Sequence, residues 1–157
     1  MEVIKDDIFY AKRMLLKSSI SYLNAIKQLL PPEVGIKVAK LAAENYILSY
    51  YQDVFKNTLP GSQERFDKFR KHYESYPKTS TYCEICASNK SSIIVRYKRC
   101  TYAEILYDEH LSEFASLFCN SDMIFTKALL PGVDFVRKSS IISGDNECLM
   151  IWTRTEF

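Results

Sequence analysis

Apolar residues return at three- and four-residue steps through the first third of the chain. Ile4, Ile8, Ala11, Leu15, Ser18, Tyr22, Ala25 and Leu29 fall on one helical face, which predicts a long amphipathic helix ended by Pro31-Pro32. Proline pushes the preceding residue out of helical geometry but is tolerated in a first turn, so a second helix starts there. Val34, Val38, Leu41, Asn45, Leu48 and Phe55 mark its face, and it ends near Asn57. Pro60-Gly61 breaks the chain, Ser62 supplies a cap, and Phe66, Phe69, Tyr73 and Tyr76 trace a third helix that stops before Pro77.

Beyond Pro77 the pattern becomes that of strands. Thr79 to Cys86 is rich in β-branched and aromatic residues, Asn89-Lys90-Ser91 makes a turn, and Ser92 to Arg99 continues as a second strand of a hairpin. Thr101 and Glu104 fit a capping box, so a helix begins after Cys100, bends between Asp108 and Ser112, and resumes through Phe114, Leu117 and Phe118. Ser121-Asp122 suits the start of another short helix, closed by Pro131-Gly132. Residues 134–142 and 148–155 read as a hairpin around Ser143-Gly144-Asp145-Asn146. The expected fold class is α+β, with three N-terminal helices packed on a small antiparallel sheet and a helical insertion before the C-terminal β-hairpin. One domain is expected over residues 1–157, helical over 1–77 and sheet-forming over 78–157, with one core burying about two thirds of the unfolded chain's surface.

Charge narrows the partners. With 21 basic and 19 acidic residues the net charge is +2, so no broad field draws in nucleic acid, and no apolar run reaches the roughly 18 to 20 residues that span a membrane. Early acids and the lack of an apolar stretch near Met1 do not resemble a secretory signal, which predicts a cytoplasmic protein. Five cysteines, an odd number in a chain large enough to bury a core unaided, read as reduced thiols.

Candidate chemistry gathers around those cysteines. Cys83 and Cys86 form a C-x-x-C pair, but on a regular strand their sulfurs point to opposite faces, and no second pair completes a zinc site. No metal or cofactor is expected. Cys100 and Cys119 each lie just ahead of a predicted helix start, where the helix dipole favours a thiolate nucleophile; simple packing explains Cys119 equally well and Cys100 somewhat better. Arg99 adds a cation for a substrate carboxylate, and Asp122 an acid for proton transfer. Cys148 opens the last strand on the side of Met150 and Trp152, and convergence with Cys100 at one sheet end is expected. Glu104 and Asp145 have structural readings as a capping carboxylate and a turn residue. His72 and His110 stand outside any selecting pattern, and no Gly-rich phosphate loop, G-x-S-x-G or H-E-x-x-H occurs.

Arg99-Cys100-Thr101-Tyr102-Ala103-Glu104, then Leu117-Phe118-Cys119-Asn120-Ser121-Asp122, then Arg137 and Gly144-Asp145-Asn146-Glu147-Cys148 resemble the L-2-amino-thiazoline-4-carboxylic acid hydrolase family in order and spacing. The resemblance covers about residues 92–155. It implies hydrolytic opening of a small carboxylate-bearing cyclic amidine at a C–N bond, as in thiazoline conversion to N-carbamoyl cysteine, without a cofactor. Cys119, Asp122, Cys100, Glu104 and Cys148 would then be catalytic, and Arg99, Arg137 and Asp145 would bind substrate. Asp108-Glu109-His110 and the apolar Leu149-Met150-Ile151-Trp152 depart from the family pattern. The Gly-acid-x-x-Cys hairpin also resembles the 4-vinyl reductase type of ligand-binding domain, so a non-enzymatic small-ligand binder or sensor is the alternative. A homodimer through the apolar face of the first helix is a third expectation.

Overall fold

The computed structural model describes residues 3–75 and 82–155. These form six helices, α1 (Asp7–Leu15), α2 (Lys17–Leu29), α3 (Pro32–Val54), α4 (Gln63–Ser75), α5 (Thr101–Asp108) and α6 (Ala115–Leu129). Four strands complete the set: β1 (Cys83–Ser88), β2 (Ser92–Tyr97), β3 (Val133–Ser139) and β4 (Cys148–Arg154). The α+β arrangement is as expected, and the stretch expected as strand at Thr79–Thr81 lies outside the described residues.

The first half holds four helices, because the long first helix bends at Leu16. There the backbone (φ −87°, ψ 0°) tightens so that the Leu16 N–H reaches both the Lys12 and Met14 carbonyls. Asp6 caps α1 by accepting the Phe9 N–H at 2.9 Å. Asn57, at φ 67°, ends the turn after α3 in the left-handed region, and Ser62 caps α4 by accepting the Arg65 N–H at 3.2 Å. The helix start expected at Ser121 does not occur. α6 runs unbroken through it, and the Ser121 hydroxyl bonds back to the Phe118 carbonyl within the helix.

The strands are antiparallel in the order β1-β2-β4-β3, so both hairpins expected from the sequence form and join through β2 and β4. Asn89 shapes the first hairpin's turn by accepting the N–H groups of Ser91 and Ser92, each at 2.9 Å. Alternation turns Ile93 and Val95 of β2 and Met150 and Trp152 of β4 into the core. Trp152 is wholly buried, with its indole N–H donating to Thr126 Oγ at 2.9 Å.

In place of one core there are two apolar clusters. One packs Tyr51, Phe55, Phe69, Phe125 and Trp152 against the sheet; the other joins Phe9, Ile20, Leu23, Ile105, Leu111 and Phe114 among the helices. α3 and α6 cross both, contributing Ala39 and Leu117 to the second and Tyr51 and Phe125 to the first. The faces that read as core in the sequence are largely the outer ones. Phe9, Ile20, Leu23, Ala39 and Tyr51 point inward, whereas Leu15, Tyr22, Leu29, Val34, Val38 and Leu41 are exposed. Among the described residues no helix is long and apolar enough to cross a membrane.

Candidate active site

The β2–β4 register sets Tyr97 opposite Cys148, and three residues after Tyr97 the chain reaches Cys100 at the start of α5. Cys119 comes to the same end of the sheet from α6, and the three thiols lie close enough to interact electrostatically. The expected convergence of Cys100 with Cys148 is therefore present. Cys148 is buried, and its Sγ accepts the Ile141 N–H at 3.2 Å.

Helix position does not activate these thiols. Cys119 lies inside α6 and not ahead of a helix start, so the dipole argument fails for it. Cys100 does precede α5, yet burial pushes its thiol up to about 12. Burial likewise pushes Cys119 up to about 11, with the Arg137 guanidinium and a hydrogen bond from Ser140 pulling the other way. Both are neutral thiols at neutral pH.

Cys119 lines an open cleft of about 320 Å³. Ser116, Cys119 and Asn120 of α6 form one wall; Arg137 of β3 and the turn residues Ser140 and Asp145 form the other. Arg137 shares the helix-facing side of β3 with Phe135, over whose ring the guanidinium sits at 5.5 Å. Its Nη2 donates to the Cys119 carbonyl and to Asp122 Oδ2, the latter at 3.0 Å. Among the described residues its Nε and Nη1 have no partner; both bidentate edges of the fork share the occupied Nη2, so each of these donors can give an anion a single hydrogen bond. Asp122 is held from the other side by the Tyr73 hydroxyl, which donates to Oδ1 at 2.8 Å. Burial raises the Asp122 carboxyl, and the Tyr73 hydrogen bond and the Arg137 charge partly offset that. Asp145 accepts the Ser140 N–H at 2.7 Å and so fixes the turn that Gly144 makes at φ 101°.

Arg99 and Glu104 stand apart from the cleft. Arg99 donates to both Glu104 oxygens, to Asp6 Oδ2 at 2.6 Å and to the Ile4 carbonyl, while its guanidinium lies 4.7 Å from the Tyr82 ring centre. These bonds occupy its donors, so a substrate carboxylate would have to displace them. The capping box expected at Thr101 and Glu104 is not made. A buried guanidinium needs a carboxylate more than a helix end does, and Glu104 turns to Arg99.

The remaining candidates fall elsewhere. Cys83 is buried and Cys86 exposed, on opposite faces as their spacing predicts. His72 is half-buried beside Tyr50 and Tyr51, and burial lowers its pKa. His110 ends α5 at φ 57°, with its carbonyl accepting from Lys27 Nζ at 2.6 Å. No group of three or more His, Cys, Asp or Glu among the described residues is placed to hold a metal ion. Sequence reasoning missed Tyr73, Ser140 and Asp6. Tyr73 is 49 residues from the carboxylate it holds, and nothing local marks that link.

No curated protein matches the chain. The family model described as L-2-amino-thiazoline-4-carboxylic acid hydrolase matches residues 10–152, which takes in the helical half as well as the motifs read between 92 and 155. With the cleft's thiol, guanidinium and carboxylates falling at the positions that carried the resemblance, and with most of the chain covered, the protein belongs to the L-2-amino-thiazoline-4-carboxylic acid hydrolase family.

Proposed function

We propose that the chain is a hydrolase that opens a small cyclic amidine bearing a carboxylate, in the cleft between α6 and the β3–β4 turn. One observation carries the reading: Arg137, fixed by Asp122 and the Cys119 carbonyl, keeps Nε and Nη1 without partners among the described residues and lines the same open volume as Cys119. The substrate carboxylate accepts a hydrogen bond from one of these donors, and this sets the ring carbon against Sγ. Arg137 replaces Arg99 as the carboxylate binder.

Because the thiol is neutral, its proton leaves as sulfur attacks. Sγ bonds to the amidine carbon, the proton passes to Asp122 and on to the ring nitrogen, and a neutral tetrahedral adduct forms. For a thiazoline, collapse that ends in an N-carbamoyl thiol keeps the ring C–N bond and breaks C–S, releasing the substrate sulfur as a thiol. Breaking C–N, the outcome first expected, would give an S-carbamoyl product. Water then adds to the enzyme-bound carbon, Sγ leaves, and its proton is restored. Cys100 and Cys148 pack around Cys119, Asp145 shapes the turn wall, and the Arg99–Glu104 pair positions the start of α5.

The test is incubation with L-2-amino-thiazoline-4-carboxylate, following thiol release and product mass. N-carbamoyl cysteine is expected from the unaltered chain, with a loss of about a thousandfold or more in Cys119→Ser. Undiminished turnover in that variant would remove the covalent route and leave water activated by Asp122. Tight binding without product would overturn the hydrolase reading in favour of ligand binding, which the neutral thiols favour.

A further inference from the structure

α2 and α3 each carry two apolar stripes, and the fold covers one. Tyr22 and Leu29 of α2 stand 71% and 79% exposed, and Val34, Val38 and Leu41 of α3 stand 40%, 42% and 60% exposed. Tyr22 and Leu29 are seven residues apart, while Val34, Val38, Leu41 and Asn45 step by four, three and four, the seam spacing of coiled coils. No charged residue falls on either stripe. The two helices are joined by the Leu30-Pro31 link, and the five exposed side chains leave roughly 600 Å² in water, the top of the range for the largest patch of a typical monomer.

We propose that this face is the interface of a homodimer. Three observations select a second copy as its occupant. Two such patches together bury roughly 1,200 Å², the lower end of the range for specific protein interfaces. Lys37 and Glu44 lie seven residues apart on one edge of the α3 seam, so pairing α3 antiparallel with its copy about a two-fold axis sets each lysine against the other copy's glutamate. Asn45 is the one polar residue of the α3 stripe and disfavours slipped registers.

Sedimentation equilibrium of the full chain at about 10 to 100 µM tests this, and twice the 18.3 kDa chain mass is expected. Leu41→Glu is expected to give monomer, weakening association about a hundredfold or more with an unchanged circular dichroism spectrum. Lys37→Glu or Glu44→Lys alone should loosen the dimer about threefold to tenfold, and the double reversal should restore it. An unaltered chain that stays monomeric at about 100 µM, a dimeric Leu41→Glu, or a double reversal that restores nothing would overturn the proposal. A monomeric chain that co-sediments with phosphatidylcholine–phosphatidylserine vesicles would overturn it too, and hand the face to a membrane.

Discussion

Arg99 and Glu104 meet as a two-pronged ion pair, Nε to Oε1 and Nη2 to Oε2 both at 2.6 Å, with 4% of each side chain exposed. The pair lies across the first turn of α5, directly beside Cys100. Asp6 completes it from the N-terminal segment and doubles as the cap of α1, so one guanidinium ties three parts of the chain together.

Glu104→Gln should therefore be costly to the fold and not to the chemistry itself. It keeps the shape but leaves a buried guanidinium with half its compensation, which predicts a loss of about 3 kcal/mol in urea unfolding. A change in kcat at unchanged stability would make Glu104 a catalytic group.

Alkylation of Cys119 should follow its raised pKa. With a value of about 11, roughly one thiol in ten thousand is ionised at pH 7, so labelling is slow and rises about tenfold per pH unit before levelling near 11. A plateau already at neutral pH would mean an activated thiolate. The same shifts set a sign for stability. The folded state holds these protons more tightly, so the contribution of Cys100 and Cys119 is complete below the ordinary thiol pKa and is lost as pH rises through about 11 and 12.

Arg137→Lys should raise KM for the carboxylated ring by tens of fold. It replaces a planar fork with a point charge and loses the fixed bond to Asp122. The carboxamide analogue of the substrate, which lacks the anion, should show a much smaller difference between the two enzymes. Equal effects on both would place Arg137 in the fold alone.

Thr126→Val should cost about 1 to 3 kcal/mol by thermal or urea unfolding, because the buried Trp152 N–H loses its acceptor. Thr126→Ser should recover most of that. Val and Ser variants of equal stability would show that the bond contributes nothing.

Helices were legible in this sequence because their period is strong, but which face is buried was not. Phe9, Ile20 and Leu23 stand inward on a path where Leu15, Tyr22 and Leu29 repeat just as regularly, and only the rest of the fold decides between them. Proline, glycine and serine signals around Pro31, Gly61 and Ser62 were local and held. The Thr101–Glu104 box failed because a residue outside the motif, Arg99, competes for the carboxylate. At the cleft, Arg137 and Asp145 entered as binding residues through the family resemblance and Cys119 through a helix start that does not occur, whereas Tyr73 reaches Asp122 only through the packing of α4 against the sheet and α6.

The strand order places β4, the last strand in the sequence, between β2 and β3. During synthesis on the ribosome the first hairpin therefore emerges with one flank open, and β3 has nothing to pair with. Cys148 and the wall behind Cys119 take shape only when β4 slots in between β2 and β3, so any reactivity of the cleft must wait for that strand. A chain halted before residue 148 would lack the strand that joins the two hairpins and would leave the edges of β2 and β3 open to pairing with other chains.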